Sequence, residues 1–135
     1  MKTLCAMVAV AALLAVGLAF AQSDSDYQAW MKSNGAAMGA LNKSLMAKDA
    51  PGVASNAQTL GSNLKQVEDY WQKKGVADAV NFSKQGETAA AAVAKDAAGG
   101  NLDAAAADLK GLQGACGGCH MAHREGTAQT GFKMK

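Results

Sequence analysis

The sequence predicts an all-α fold, an antiparallel up-down-up-down bundle of four helices. In four segments of the chain, apolar residues recur every three or four positions, which is the spacing of one helix face. The joints between these segments are short and contain proline or glycine. Short joints place consecutive helices side by side and in opposite directions. No segment shows the strict alternation of apolar and polar residues that is typical of a strand.

The first two helices are predicted on either side of Pro51. Asp24 or Asp26 can cap the first, which runs to about Lys48 and has as its inward positions Tyr27, Trp30, Met31, Met38, Leu41 and Leu45. Pro51 suits the first turn of the second helix, which ends at Gly75. The apolar seam of this helix is typical of a bundle and consists of Val53, Ala57, Leu60, Leu64, Val67 and Trp71.

The last two helices are predicted on either side of Gly99-Gly100. The third runs from about Val76 or Asp78 to Ala97 and has as its inward positions Ala79, Phe82, Gly86, Ala90, Val93 and Ala97. Asn101 can cap the fourth helix. One stripe of that helix contains Leu102, Ala105, Leu109, Leu112, Cys116, Cys119 and His123.

The first 21 residues are predicted to be a secretory signal peptide. Lys2 supplies the positive start, Leu4 to Leu18 contains no charge, and Ala19-Phe20-Ala21 has the small-x-small pattern of a cleavage site. Cleavage removes Cys5 and exports the rest of the chain to the periplasm, which is oxidising. No second apolar run of membrane length follows, so we expect no membrane attachment after cleavage. An uncleaved N-terminal anchor is the alternative.

The exported chain fits a single domain, residues 22–125, followed by a polar C-terminal tail over residues 126–135. The chain contains no basic cluster, which argues against nucleic-acid binding. Alanine is abundant and aromatic residues make up only 5%, so the side chains alone bury little apolar area. This composition favours a domain whose core is completed by a bound apolar group.

Five residues near the end of the fourth helix, Cys116-Gly117-Gly118-Cys119-His120, form the attachment signature of c-type haem. Each cysteine forms a thioether with one vinyl group of the haem, and the adjacent imidazole ligates the iron from one face. On a helix these three side chains share one side, so they can face the same planar ring. The sequence therefore predicts one covalently attached haem c per chain, with His120 as the proximal ligand.

Other interpretations of the motif stay open. A thioredoxin-type redox pair belongs beside a βαβ pattern, which this sequence lacks. A zinc site could use Cys116, Cys119, His120 and His123, although ligands on a single helical stripe suit a tetrahedral ion poorly. A disulfide between the two cysteines is the alternative if haem is not attached.

A haem motif at the C-terminal end of a four-helix chain resembles the class II c-type cytochromes, the cytochrome c′ and cytochrome c-556 family. The resemblance covers nearly all of the exported chain and depends on Trp30-Met31-Lys32-Ser33-Asn34-Gly35, on Trp71, and on Cys116–His120 followed by Arg124. It implies that Arg124 lies beside the proximal face of the haem. The family usually has tyrosine or phenylalanine before this arginine, where this chain has His123, and its second and third helices are joined by a longer connection.

The sixth ligand of the iron is predicted to be a methionine. Met31 and Met38 are seven residues apart on the inward stripe of the first helix, so the spacing allows either, or neither if both are core residues. The resemblance favours Met31, because low-spin c-556-like members have methionine at this position, before a Lys-x-Asn-Gly run. High-spin c′ members leave the sixth site open.

The expected function is one-electron transfer in the periplasm by a haem with histidine and methionine ligands. A five-coordinate haem that binds nitric oxide or carbon monoxide is the alternative. No nucleophile or carboxylate pair indicates catalysis, so we expect no enzymatic activity. The expected partner is a redox protein that the sequence does not identify, and a homodimer stays open.

Overall fold

A computed structural model describes residues 22–127 and 129–135 of the protein. This part of the chain forms four helices, α1 (Asp24–Met46), α2 (Ala50–Lys74), α3 (Ala77–Ala98) and α4 (Leu102–His123). Two short strands follow, β1 (Arg124–Thr127) and β2 (Gly131–Met134). The predicted signal peptide lies outside the described residues. Within them, none of the helices combines the length and the apolar character that a membrane crossing requires.

The ends of α1 and α4 show which polar residues act as caps. α1 is capped by Ser23 and not, as predicted, by Asp24 or Asp26. The Ser23 hydroxyl accepts a hydrogen bond from the Asp26 N–H at 3.1 Å, and the Asp26 carboxylate accepts one from the Ser23 N–H at 2.8 Å. Asn101 caps α4 as predicted, accepting from the Ala104 N–H at 3.1 Å.

The ends of α2 explain the sharp joints on either side of it. The Asp49 carboxylate accepts a hydrogen bond from the Gly52 N–H at 3.1 Å, and Pro51 lies in the first turn, where its missing N–H costs nothing. Gly75 ends α2 with a φ of 72°, a left-handed conformation that a residue with a Cβ adopts only with strain.

Consecutive helices pack side by side and run in opposite directions. The start of α1 contacts the end of α2, where the Tyr70 hydroxyl donates a hydrogen bond to the Asp24 carboxylate at 2.6 Å. The start of α3 contacts the end of α4, where the His123 Nε2 lies 2.9 Å from the Asp78 carboxylate. These contacts fix both helix pairs as antiparallel.

Small residues allow α3 to lie close to α2. Gly61 of α2 faces Ala90 of α3, where a Cβ added at Gly61 would lie 3.7 Å from the alanine methyl. One turn further along α2, Leu64 covers Gly86, where an added Cβ would lie only 2.9 Å from a leucine methyl. The order of these contacts makes α2 and α3 antiparallel too. Gly86, unfavourable in mid-helix by propensity, is therefore explained by packing.

The predicted apolar seam of α2 is buried along its whole length, at Val53, Ala57, Leu60, Leu64, Val67 and Trp71. The inward positions of α3 are buried as well, except Phe82, which is half-buried. Tyr27, Tyr70 and Trp71 form an aromatic cluster at one end of the bundle, with ring centroids 4.7 to 5.6 Å apart. The buried positions of α2 and α3 therefore agree with the helix faces that the periodicity predicts.

The two outer helices, α1 and α4, make almost no direct contact within the described residues, although α1 packs on α2 and α4 packs on α3. The gap between them is bordered by the half-buried Met31 and Met38 of α1 and by Cys116 and His120 of α4. The bundle is therefore tightly closed on three sides and open on the fourth.

The C-terminal tail, expected to be loose, forms an antiparallel hairpin. Arg124 pairs with Met134 and Thr127 pairs with Gly131. Gly126 and Gly131 have φ values of 89° and 80°, which only glycine adopts without strain. Because these two glycines bend the chain back, the segment returns to the bundle instead of extending into solvent.

Two carboxyl groups meet where α2 packs on α3. Glu68 is only 6% exposed, and its Oε1 lies 3.3 Å from the Lys65 ammonium. Oε1 of Glu87 is buried without a hydrogen-bond donor among the described residues. Burial and the adjacent Glu68 raise the pKa of Glu87 to about 7, whereas Glu87 and then Lys65 lower the pKa of Glu68. The pair therefore holds one proton near neutrality, on Glu87.

Glu87→Gln should reduce the pH dependence of stability. The pKa of Glu87 is about 7 in the native protein and 4.5 ordinarily, so the native state binds the extra proton and stability falls as the pH rises through that window. The variant should lose this pH dependence. Its free energy of unfolding at pH 8 should exceed that of the unaltered protein by up to about 1 kcal/mol, a figure reduced for solvent screening. Urea unfolding at pH 5 and pH 8 measures the difference.

Asp108→Asn on α4 is the matched control for this measurement, since it removes a carboxylate that has no such partner within the described residues. Its free energy of unfolding should change with pH as that of the unaltered protein does. A Glu87→Gln variant that kept the full pH dependence would show that the proton resides elsewhere.

Candidate functional site

A cavity of about 530 Å³ lies in the gap between α1 and α4. Most of the side chains that line it are apolar, and its volume lies within the range of roughly 300–1,000 Å³ that is usual for cofactor pockets. α1 forms one wall, α4 forms the facing wall, and β2 of the hairpin contributes to one end. The cavity therefore opens between α1 and α4 and has a mostly apolar lining.

The residues of the haem motif meet in this cavity. Cys116, Cys119 and His120 all line it, and they do so because positions i, i+3 and i+4 of α4 share one side of the helix. Cys119 is buried, and Cys116 and His120 are half-buried. The other three predicted site residues, Met31, Met38 and Arg124, line the same cavity, so the structure brings together every residue that the sequence analysis selected.

The two cysteines are free thiols in an apolar environment. Burial, reinforced by Cys116 and then Asp78, raises the pKa of Cys119 to about 11, and burial also raises the pKa of Cys116. Both thiols are therefore protonated at neutral pH. A dithiol redox centre requires a lowered pKa instead, so the environment argues against a thioredoxin-type role.

The imidazole of His120 is held in its neutral form. Burial first, and the nearby Arg124 guanidinium second, lower its pKa. A neutral imidazole has a free nitrogen lone pair, which a metal ligand requires. His120 therefore has the protonation state of an axial ligand while facing the cavity.

One glycine of the motif is fixed by packing and the other is not. A Cβ added at Gly118 would lie 2.5 Å from the Phe82 ring of α3, whereas one added at Gly117 meets no atom within 4 Å. The close approach at Gly118 seats the motif against α3. Cys116, Cys119 and His120 border the cavity from this seated position, and Cys119 also packs against α3.

Three methionines line the cavity, one more than the sequence analysis considered there. Met31 and Met38 lie in the α1 wall, as predicted from their spacing. Met134, which lies in the tail and was not predicted as a ligand, is brought into the cavity lining by the hairpin. Its sulfur lies 3.2 Å from the oxygen of the Tyr70 hydroxyl, whose proton is donated to Asp24. That contact ties Met134 to α2, on the aromatic side of the cavity.

His123 has a structural role at the end of α4. Its Nε2 lies 2.9 Å from the Asp78 carboxylate, and its ring centroid is 5.2 Å from that of Trp71. The hydrogen bond from His123 lowers the pKa of Asp78. His123 thus joins the end of α4 to the start of α3 and to α2.

A zinc site is not assembled by these residues. Across residues 22–127 and 129–135, no group of three or more histidine, cysteine or acidic side chains is arranged to hold a metal ion. The four candidates for such a site, Cys116, Cys119, His120 and His123, all lie in the described part of the chain. His123 is bonded to Asp78 instead.

Sequence reasoning missed the contribution of the hairpin to the cavity. Phe132, Lys133 and Met134 all line it, although they follow the haem motif by more than ten residues. The Arg124 guanidinium carbon lies 4.1 Å from the centroid of the Phe132 ring, a cation–π contact that holds the two strands together. The available signal was the pair Gly126 and Gly131 on either side of a short polar turn, which is weak evidence for a hairpin on its own.

No family model, curated protein or solved structure matches this chain. The resemblance to the class II c-type cytochromes therefore depends on the residues quoted in the sequence analysis. Function has to be argued from the motif and from the cavity that it faces.

Gly118→Ala should destabilise the protein, and Gly117→Ala should not. The added methyl at residue 118 displaces the Phe82 ring, and overpacking of this kind costs about 1–3 kcal/mol. Gly117 is exposed on the same helix, so alanine there should stabilise by up to about 1 kcal/mol through helix propensity. Urea unfolding of the two variants gives both values. Equal stabilities would mean that Phe82 does not restrain the motif.

Proposed function

We propose that the protein is a periplasmic electron-transfer cytochrome that holds one covalently attached haem c and exchanges single electrons with a partner protein. In this proposal the chain is an up-down-up-down bundle, and the haem lies near the C-terminal end of the last helix. Cys116 and Cys119 hold the haem, His120 is the proximal ligand, and Met31 is the distal ligand.

The observation that supports this proposal best is the convergence of Cys116, Cys119 and His120 on one apolar cavity between two helices. The motif alone indicates haem attachment but does not indicate where a haem would lie. The cavity supplies a space of suitable volume and polarity directly in front of all three side chains. A helical bundle with no such gap at its motif would have argued against haem.

The protonated thiols suit covalent attachment. Each thiol adds its S–H across one vinyl group, so that a carbon–sulfur bond forms and the proton goes to the other vinyl carbon. The thioether product is uncharged, which matches the apolar surroundings of Cys116 and Cys119. No oxidant is consumed in this addition.

When bound, a haem with histidine and methionine ligands supplies reversible one-electron chemistry at a raised potential. The chain supplies the two ligands from facing walls, His120 from α4 and Met31 from α1. The lining between them is mostly apolar. Nothing in this arrangement requires a substrate site, which is why we propose electron transfer rather than catalysis.

The attachment is tested by replacing Cys116 and Cys119 together with alanine. In protein matured in a periplasm competent for haem c assembly, the unaltered chain should retain its haem in acidified organic solvent. The double variant should lose its haem to the solvent or contain none, because no thioether can form. The visible spectrum of the extracted protein measures the outcome. Loss of haem from the unaltered chain in the same treatment would overturn the proposed function.

Met31→Ala should convert a low-spin haem to a high-spin one, because it vacates the distal position. The ferrous variant should bind carbon monoxide readily, and its reduction potential should fall. Met38→Ala lies on the same stripe one heptad along, so it is the matched control. It should keep the low-spin spectrum and lose about 2–5 kcal/mol of stability if the side chain is fully buried in the holoprotein.

Two outcomes would change this assignment. If only Met38→Ala becomes high-spin, the ligand is Met38. If the unaltered protein is already high-spin and binds carbon monoxide as fast as Met31→Ala does, the five-coordinate gas-binding function replaces electron transfer.

A further inference from the structure

Three cations lie at the solvent-facing edge of the cavity. Lys32 of α1, Arg124 of β1 and Lys133 of β2 are exposed, and all three line it. We call these three residues the rim. They come from three different elements, so their convergence is a property of the fold and not of one charged segment.

No residue of the rim forms an ion pair in the part of the chain that the structure describes, although Glu125 of β1 stands opposite Lys133 in the register of the hairpin. No aspartate or glutamate lines the cavity. The ion pairs among the described residues involve Lys65, Lys74 and His123, and none involves a residue of the rim. An apolar cavity with unpaired cations at its edge suits a ligand that has an apolar body and an anionic end.

The rim residues differ in what they already contact. The Arg124 guanidinium lies over the Phe132 ring, so Arg124 is engaged in holding the hairpin together. Lys32 and Lys133 make no side-chain hydrogen bond or ion pair to another described residue. These two ammonium groups are therefore the ones available to a ligand.

The hairpin that contains Lys133 is fastened to the bundle at its far end. The Lys135 N–H donates a hydrogen bond to the His123 carbonyl at 3.0 Å, and the Lys135 ammonium donates to the Met121 carbonyl at 3.2 Å. On the other side, the Met134 sulfur contacts the Tyr70 hydroxyl oxygen at 3.2 Å. Residues 133–135 are thus held at the edge of the cavity by contacts to α4 and α2.

We propose that the C-terminal hairpin is a clasp for the cofactor, in which Lys133, together with Lys32 across the cavity, pairs with the carboxylates of the bound group. This inference rests on the proposed function, since haem is the group and its two propionates are the carboxylates. Lys133 is then a positioning residue that orients the haem and raises its potential, because a nearby cation disfavours the additional positive charge of ferric iron. Arg124 acts through Phe132 by keeping the clasp folded.

The test uses the holoprotein and its reduction potential. Lys32→Gln and Lys133→Gln should each shift the ferrous-to-ferric ratio toward ferric iron by roughly two- to tenfold at a fixed applied potential and physiological salt. Lys133→Arg keeps the charge and should restore the unaltered value. Lys110→Gln on α4 is the control, because Lys110 is exposed, lies outside the hairpin and does not line the cavity. Its ratio should change less than twofold.

The outcomes separate this inference from the proposed function. Haem attached in every variant, with Lys32→Gln and Lys133→Gln no different from Lys110→Gln, would show that the hairpin is not a clasp while leaving electron transfer intact. An unaltered chain that acquires no haem would overturn both. A fall in potential for Lys133→Gln that Lys133→Arg does not restore would assign the effect to packing and overturn the charge pairing.

Discussion

The close approach of α3 to both of its neighbours is the constraint on which the rest of this structure depends. Gly61 and Ala90 bring α2 and α3 together, and Gly118 brings α4 against Phe82 of α3. Small residues at these contacts let the three helices pack with little space between them. α1, which packs on α2 alone, is then left apart from α4, and the gap becomes the cavity. An alanine-rich chain with few aromatic residues thus leaves a cavity of about 530 Å³ along this gap.

Periodicity predicted most of the fold, since helix faces are a local property of the sequence. The seam from Val53 to Trp71 repeats at bundle spacing, and every member is buried. The cap at Ser23 was harder to predict, because Ser23, Asp24 and Asp26 are all good caps and only the reciprocal pair of hydrogen bonds decides between them. The hairpin was not predicted, because Gly126, Gly131 and Phe132 do not indicate a hairpin by themselves. It depends on the contact of Phe132 with Arg124 and on contacts with the bundle.

The residues of the candidate site likewise fall into two groups, those that the local sequence predicts and those that tertiary contacts place. Cys116, Cys119 and His120 were predictable because the motif is local, and their shared orientation follows from helix geometry alone. Met134 and Lys133 reach the cavity through contacts to Tyr70 and α4 that no spacing rule encodes. His123 shows the opposite case, in which a residue placed by sequence near the motif turns out to serve the bundle. Its contacts to Asp78 and Trp71 connect the last helix with the two before it.

The open seam between α1 and α4 also bears on the order in which such a protein is assembled. α2, α3 and α4 share two tight interfaces, and neither of these borders the full length of the cavity. On the proposed function, a haem would enter this gap from the side while those interfaces stay intact. Cys119 is buried and Cys116 is half-buried on α4, so the thiols would meet the haem inside the gap and not at the outer surface.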